Sequence, residues 1–205
     1  MLYDMRVNRR TNPKVVDGRV QKKNNDRPTH NYYDHKEPEL VIDRRRPGPG
    51  ARHLLKVEDI KTFISIIPDW DELSKGVDAI ALLPYDDCTY GSYNLAGIIK
   101  LRAWPTELWT EVHEEVESRK GWLIRAIGVE TEELSYGGYF AKFTENQAKA
   151  FQLLGTFLHE LGHHVDRMDC KRKHDCPGGE PFAIQFEQKM QQKVWPEFVR
   201  RFPLP

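Results

Sequence analysis

The 205 residues suffice for one domain with a sizeable core plus an appended tail. Net charge is zero, but residues 1–52 hold 13 Lys+Arg against 7 Asp+Glu and the remainder 18 against 24, so a basic stretch precedes an acidic body. No apolar run approaches the roughly 20 residues that span a bilayer. The opening Met-Leu-Tyr-Asp-Met-Arg lacks the apolar core of a secretory leader. Three cysteines, Cys88, Cys170 and Cys176, argue against a disulfide scaffold and are expected as free thiols. Together these predict a cytoplasmic protein with no membrane partner.

In chain order, residues 1–52 are poor in apolar residues and end in Asp43-Arg-Arg-Arg46-Pro-Gly-Pro-Gly50, where neither helix nor strand propagates. They are expected as a disordered basic tail and linker, open to an acidic partner or nucleic acid, with a catalytic domain over 53–205. Val57 to Ile67 repeats apolar residues at helical spacing and stops at Pro68. Asp78–Pro84 and Gly97–Trp104 are expected as paired strands, with a loop over Asp86–Ser92 between them. Pro105 to Ala126 carries helix formers with Trp109, Val112, Val116 and Leu123 on one face, split or ended at Gly121. Tyr136–Phe143 alternates as a short strand, expected at a sheet edge. Thr144-Glu-Asn-Gln147 has the form of a capping box and opens a long apolar helix.

That helix contains Phe157-Leu-His159-Glu160-Leu-Gly-His163-His164-Val-Asp166. Histidines at i and i+4 stand one above the other on a helix face, so both imidazoles can reach one ion about 2.0–2.1 Å from each nitrogen. Glu160 is rotated about 100° from His159, out of coordination but beside the open position, where a carboxylate can take a proton from an attacking water. Burying two imidazoles and a carboxylate among Phe151, Leu153, Leu154, Phe157, Leu158 and Leu161 costs several kcal/mol unless a metal is present. His164 faces away by a similar angle and is expected as an ordinary helix histidine.

Catalytic zinc ordinarily has three protein ligands plus water. After Pro177-Gly-Gly179 breaks the chain, Glu180 begins a second helix whose Phe182, Ala183, Phe186 and Met190 can pack on the first, and its carboxylate can point back at the ion. Glu180 is therefore the expected third ligand, with Asp169, Glu187 and His174 as competitors. Cys170, His174 and Cys176 could form a second zinc site, although their spacing matches no common zinc-finger pattern.

His159-Glu-Leu-Gly-His163-His-Val-Asp166 followed by Glu180-Pro-Phe-Ala183 resembles the gluzincin metallopeptidases, nearest to the lethal-factor-like and Pro-Pro endopeptidase group. The similarity covers about 30 residues. It implies His159, His163 and Glu180 as ligands, Glu160 as general base and Asp166 as a group that orients a ligand. Two departures stand out: the gap from His163 to Glu180 is short, and Lys173 occupies the place where that group has an oxyanion-stabilising tyrosine. His174, Tyr136 or Tyr139 could serve instead.

The expectation is an α+β, minigluzincin-like fold: a short, mostly antiparallel sheet, an edge strand beside the His-Glu-x-x-His helix, and a following glutamate helix. The expected activity is Zn2+-dependent hydrolysis of a peptide or protein substrate. The alternatives are a zinc-stabilised interaction module without catalysis, and a nucleic-acid-associated factor working through its basic N-terminal tail. Glu160 speaks against the silent module, because a purely structural site has no need of it.

Overall fold

The computed structural model describes residues 39–112, 114–169 and 178–204, together with two short strands near the N-terminus. Those strands, β1 (Val15–Val16) and β2 (Arg19–Val20), pair antiparallel within a unit that ends at His35; the rest of the chain forms the second unit. Apart from these two strands, the expected disordered tail over residues 1–38 falls outside the described residues, as do a second metal on Cys170, His174 and Cys176 and a role for His174. Cys88 is an exposed free thiol.

Within the second unit, β3 (Val41–Arg44), β4 (Ala51–Arg52), α1 (Val57–Ile64), α2 (Trp70–Leu73), β5 (Ala79–Leu83), β6 (Gly91–Asn94) and β7 (Ile98–Arg102) come first. There follow β8 (Trp104–Pro105), β9 (Trp109–Val112), α3 (Glu114–Ala126), β10 (Glu130–Glu133), β11 (Tyr139–Lys142), α4 (Glu145–Ala150), a π-helical segment (Phe151–Phe157), α5 (Leu158–Asp169) and α6 (Gly179–Arg201). The architecture is mixed α and β, with small sheets and helices around one apolar core. Among the described residues no helix is long and apolar enough to cross a membrane.

The principal sheet has the order β3-β5-β7-β6. β5 is parallel to β3 and to β7, and only β6 runs antiparallel. In this sheet the expected antiparallel predominance is reversed. The all-apolar Ala79-Ile-Ala-Leu-Leu83 is buried at every position, as suits a central strand of a parallel sheet covered on both faces. Membership of β3 moves the start of the folded body well before residue 53: Val41 and Ile42 pair with Ala79 and Ile80, and the Arg45 N–H donates to the Leu82 carbonyl. The charges of Asp43 and Arg44 disguise this strand.

A second sheet has the order β10-β11-β9. β11, expected at an edge, is its central strand. The edge strand that lies beside α5 is instead β6, two of whose residues fall in the expected loop over 86–92. Trp109 to Val112 also departs from expectation, forming a strand, so the helix begins only at Glu114 and continues through Gly121. The hairpin from β6 to β7 closes on an Asn94 side chain that accepts from the Ala96 N–H, and on Gly97 at φ +79°, where a Cβ would come 2.1 Å from the Gly76 carbonyl oxygen.

The capping box forms as expected: Thr144 Oγ1 accepts from the Gln147 N–H, and Gln147 Oε1 accepts from the Thr144 N–H at 2.8 Å. From Gln147 to Leu161 every residue but Lys149 and His159 is buried. Phe157 packs edge-on against Phe63 of α1, which in turn meets Phe198 of α6. Phe151 packs against Trp104 and Phe143. α6 crosses α5 closely because Gly162 has no side chain; a Cβ there would lie 2.9 Å from the Ala183 Cα.

Candidate metal centre

α5 presents His159 and His163 one turn apart, and the chain returns so that Glu180, in the first turn of α6, faces both. His159 Nε2 lies 3.2 Å from His163 Nε2, His163 Nε2 lies 3.1 Å from Glu180 Oε1, and His159 Nε2 lies 3.3 Å from Glu180 Oε2. Four ligands at about 2.0–2.1 Å in a tetrahedron are separated by about 3.3 Å. Two imidazole nitrogens near that separation, and a carboxylate that meets each of them with a different oxygen, stand close enough together to hold one zinc ion. Burial, and next the neighbouring His159, push the His163 pKa down, which favours the neutral imidazole a metal requires.

The competitors are placed elsewhere. Asp169 ends α5, exposed and outside the cluster of donors. Glu187 is buried, and its Oε2 lies 3.3 Å from Nδ1 of His159, the ring nitrogen opposite the one that faces the other donors. Tyr139 and Tyr136 are not among the residues lining the cleft. The resemblance implied that Asp166 orients a ligand. The bond shown for Asp166 runs from the Gly179 N–H to its Oδ2 at 2.8 Å, so this carboxylate anchors the chain immediately before Glu180. Gly178 permits that approach, since a Cβ on it would come 2.6 Å from Asp166 Oδ1.

Glu160 lines the same cleft, with a volume of about 430 Å3, beside His159, His163, Glu180 and the β6 residues Gly91 and Tyr93. Burial raises its pKa to about 7. His159, Lys120 and a hydrogen bond from the Tyr93 backbone N–H oppose the rise, and the Glu180 charge adds to it. A carboxyl that exchanges its proton near neutral pH suits general acid–base work.

Of the elements that line the cleft, β6 is the least visible in the sequence. Tyr90 and Arg102 pair through the Arg102 N–H to the Tyr90 carbonyl, so in the alternation of an antiparallel ladder Ser92 and Asn94 also bond toward β7. Gly91 and Tyr93 then direct their main-chain groups to the open side, and the Tyr93 N–H meeting Glu160 agrees with that phase. Gly91 was the available signal: a Cβ there would lie 2.4 Å from Thr156 Cγ2 and 2.6 Å from the Lys100 carbonyl oxygen. Comparison of the chain with known protein families, with characterised proteins and with solved structures finds no match.

Proposed function

We propose that the chain is a zinc-dependent hydrolase of the gluzincin type, most simply a metallopeptidase. The observation that carries this reading is the grouping of His159, His163 and Glu180, whose nearest donor atoms approach pairwise to 3.1–3.3 Å, with the Glu160 carboxyl beside them in one cleft. A bound zinc ion would supply Lewis acidity, polarising a substrate carbonyl and acidifying a water. His159, His163 and Glu180 would hold it. Glu160 takes the water proton on its carboxylate and returns it to the leaving amine, a cycle that its pKa near 7 favours. The hydrogen bond from the Tyr93 backbone N–H favours the charged form of that carboxyl. Main-chain groups of β6 offer an extended peptide a strand to pair with, which supports the minigluzincin-like reading. The cytoplasm is the proposed setting, for which the few cysteines argue.

Metal analysis of purified protein, combined with digestion of an unbiased peptide library, tests the proposal. About one zinc per chain is expected, with cleavage that disappears in Glu160→Gln while the metal remains. Metal-free protein that cannot be loaded, or cleavage undiminished in that variant, overturns it.

A further inference from the structure

The ligand-bearing helix α5 is preceded by a π-helical segment, all of it buried. π-Segments misalign successive backbone carbonyls and commonly sit next to functional positions. Two of these carbonyls are met by side chains from other helices. Lys120 Nζ of α3 donates to the Gly155 carbonyl at 2.9 Å, and Gln191 Nε2 of α6 donates to the Leu154 carbonyl at 3.0 Å. A Cβ at Gly155 would press on Leu123 of α3, 3.0 Å from its Cδ2, while meeting the Lys120 side chain only at an ordinary contact distance of 3.6 Å.

The same two donors converge on Glu187. Lys120 Nζ lies 2.6 Å from Glu187 Oε2, and Gln191 Nε2 lies 2.8 Å from Glu187 Oε1. Glu187 is only 2% exposed, and a carboxylate so buried needs charged or hydrogen-bonding partners on every side. Its remaining neighbour is Nδ1 of His159, at 3.3 Å. That nitrogen is itself buried and makes no well-aligned hydrogen bond. Glu180 and Glu187 are seven residues apart on α6, two turns on one face, so one helix addresses the His159 ring from both of its nitrogens.

We infer that Glu187, held by Lys120 and Gln191, is the positioning residue for His159: a small turn of the ring lets Nδ1, 3.3 Å from this carboxylate, donate its proton to it and leaves Nε2 free for the ion. The inference rests on the reading of His159 as a ligand. A carboxylate on the far nitrogen of a ligand histidine fixes tautomer and ring orientation, and loss of such a partner typically weakens metal binding 10–100-fold. The tautomer is not fixed without it, because Nε2 also faces an acceptor, Glu180 Oε2 at 3.3 Å. Lys120 and Gln191 couple this ring to the backbone of the turn preceding it, so helix phase and ring orientation are set by one cluster.

The rival account is that Glu187 serves only as the counter-ion of half-buried Lys120. Removing Glu187 alone would leave that lysine unpaired and confound the two, so the informative variant is Lys120→Met with Glu187→Met, which removes both charges at similar volume. Zinc affinity is measured by competition with a chelator, and the His159 tautomer by 15N NMR of the metal-free protein on the alkaline side of the histidine titration. The wild-type ring is expected in the Nδ1–H form, and the double variant is expected to bind zinc about 10–100-fold more weakly. A wild-type ring in the Nε2–H form, or unchanged zinc affinity in the double variant, overturns the inference. The tautomer is read without metal, so it decides the role of Glu187 even if the double variant fails to fold. It does so equally if the protein proves to bind no zinc, which would refute the proposed function instead.

Discussion

The Tyr93 hydroxyl donates to Nδ1 of His164 across 3.1 Å, and the direction of this bond is fixed by the other side of the ring. His164 Nε2 faces the Lys75 carbonyl at 3.0 Å, which can only accept, so Nε2 carries the proton and Nδ1 must accept. His164 is wholly buried, and burial lowers its pKa, favouring the neutral ring. Tyr93 thus meets α5 twice from β6, by its hydroxyl at His164 and by its backbone N–H at Glu160.

Tyr93→Phe keeps the edge-to-face ring contact with His164 and removes only the hydroxyl. A buried acceptor without a donor costs about 1–3 kcal/mol. Urea unfolding should show a lower midpoint at unchanged slope, with zinc content unaffected. A midpoint equal to that of wild type would mean that water replaces the hydroxyl.

Metal content after dialysis against a mild chelator discriminates among the carboxylates. His159→Ala, His163→Ala and Glu180→Ala each remove a vertex of the donor triangle and should lose zinc. Asp169→Ala should retain full stoichiometry, since that side chain ends α5 in solvent. Retention of zinc by Glu180→Ala, or its loss from Asp169→Ala, would transfer the third ligand away from α6.

In metal-free protein Glu160 should make stability fall with rising pH. Its folded pKa is raised from 4.5 to about 7, chiefly by burial, so between these values the folded state keeps a proton that the unfolded state has released. The penalty is absent below about pH 4.5 and complete above about pH 7, reaching on the order of 3 kcal/mol. Glu160→Gln has no such titration. With chelator present, the stability of this variant relative to wild type should therefore increase as pH rises through that window. Parallel stability curves for the two proteins would show that the carboxyl is not desolvated.

The donors of the site were legible because the relevant distances are local: two histidines at i and i+4 stack on any helix, and a glutamate that opens the next helix has a short way back. Its setting was less so. β3 is hidden by the charges of Asp43 and Arg44, and β9 by helix-compatible residues. β6 is hidden because a strand with one edge open to a cleft has no need of apolar alternation. The role of Glu187 depends on how α6 lies across α5, which is set by the contact of Gly162 with Ala183 rather than by any pattern within either helix.

Gly91 is the position where the cleft tolerates least change. Its backbone passes so near the π-helical segment, α5 and β7 that a Cβ would sit 2.4 Å from Thr156 Cγ2, 2.6 Å from the Lys100 carbonyl oxygen and 3.6 Å from Glu160 Cγ. The first obstacle is the end of a side chain; the second is backbone of the partner strand and cannot give way without disturbing the β6–β7 ladder. Gly91→Ala should therefore lower stability by about 1–3 kcal/mol, as overpacking of a close contact does. It should also lower activity further than the stability loss explains, because β6 supplies the N–H that holds Glu160. Thr156→Ser removes the methyl group and should recover only part of the loss in the double variant, since the Lys100 carbonyl remains. Full recovery in the double variant, read from urea midpoints, would place the whole conflict on Thr156 and leave the strand spacing unconstrained by Gly91.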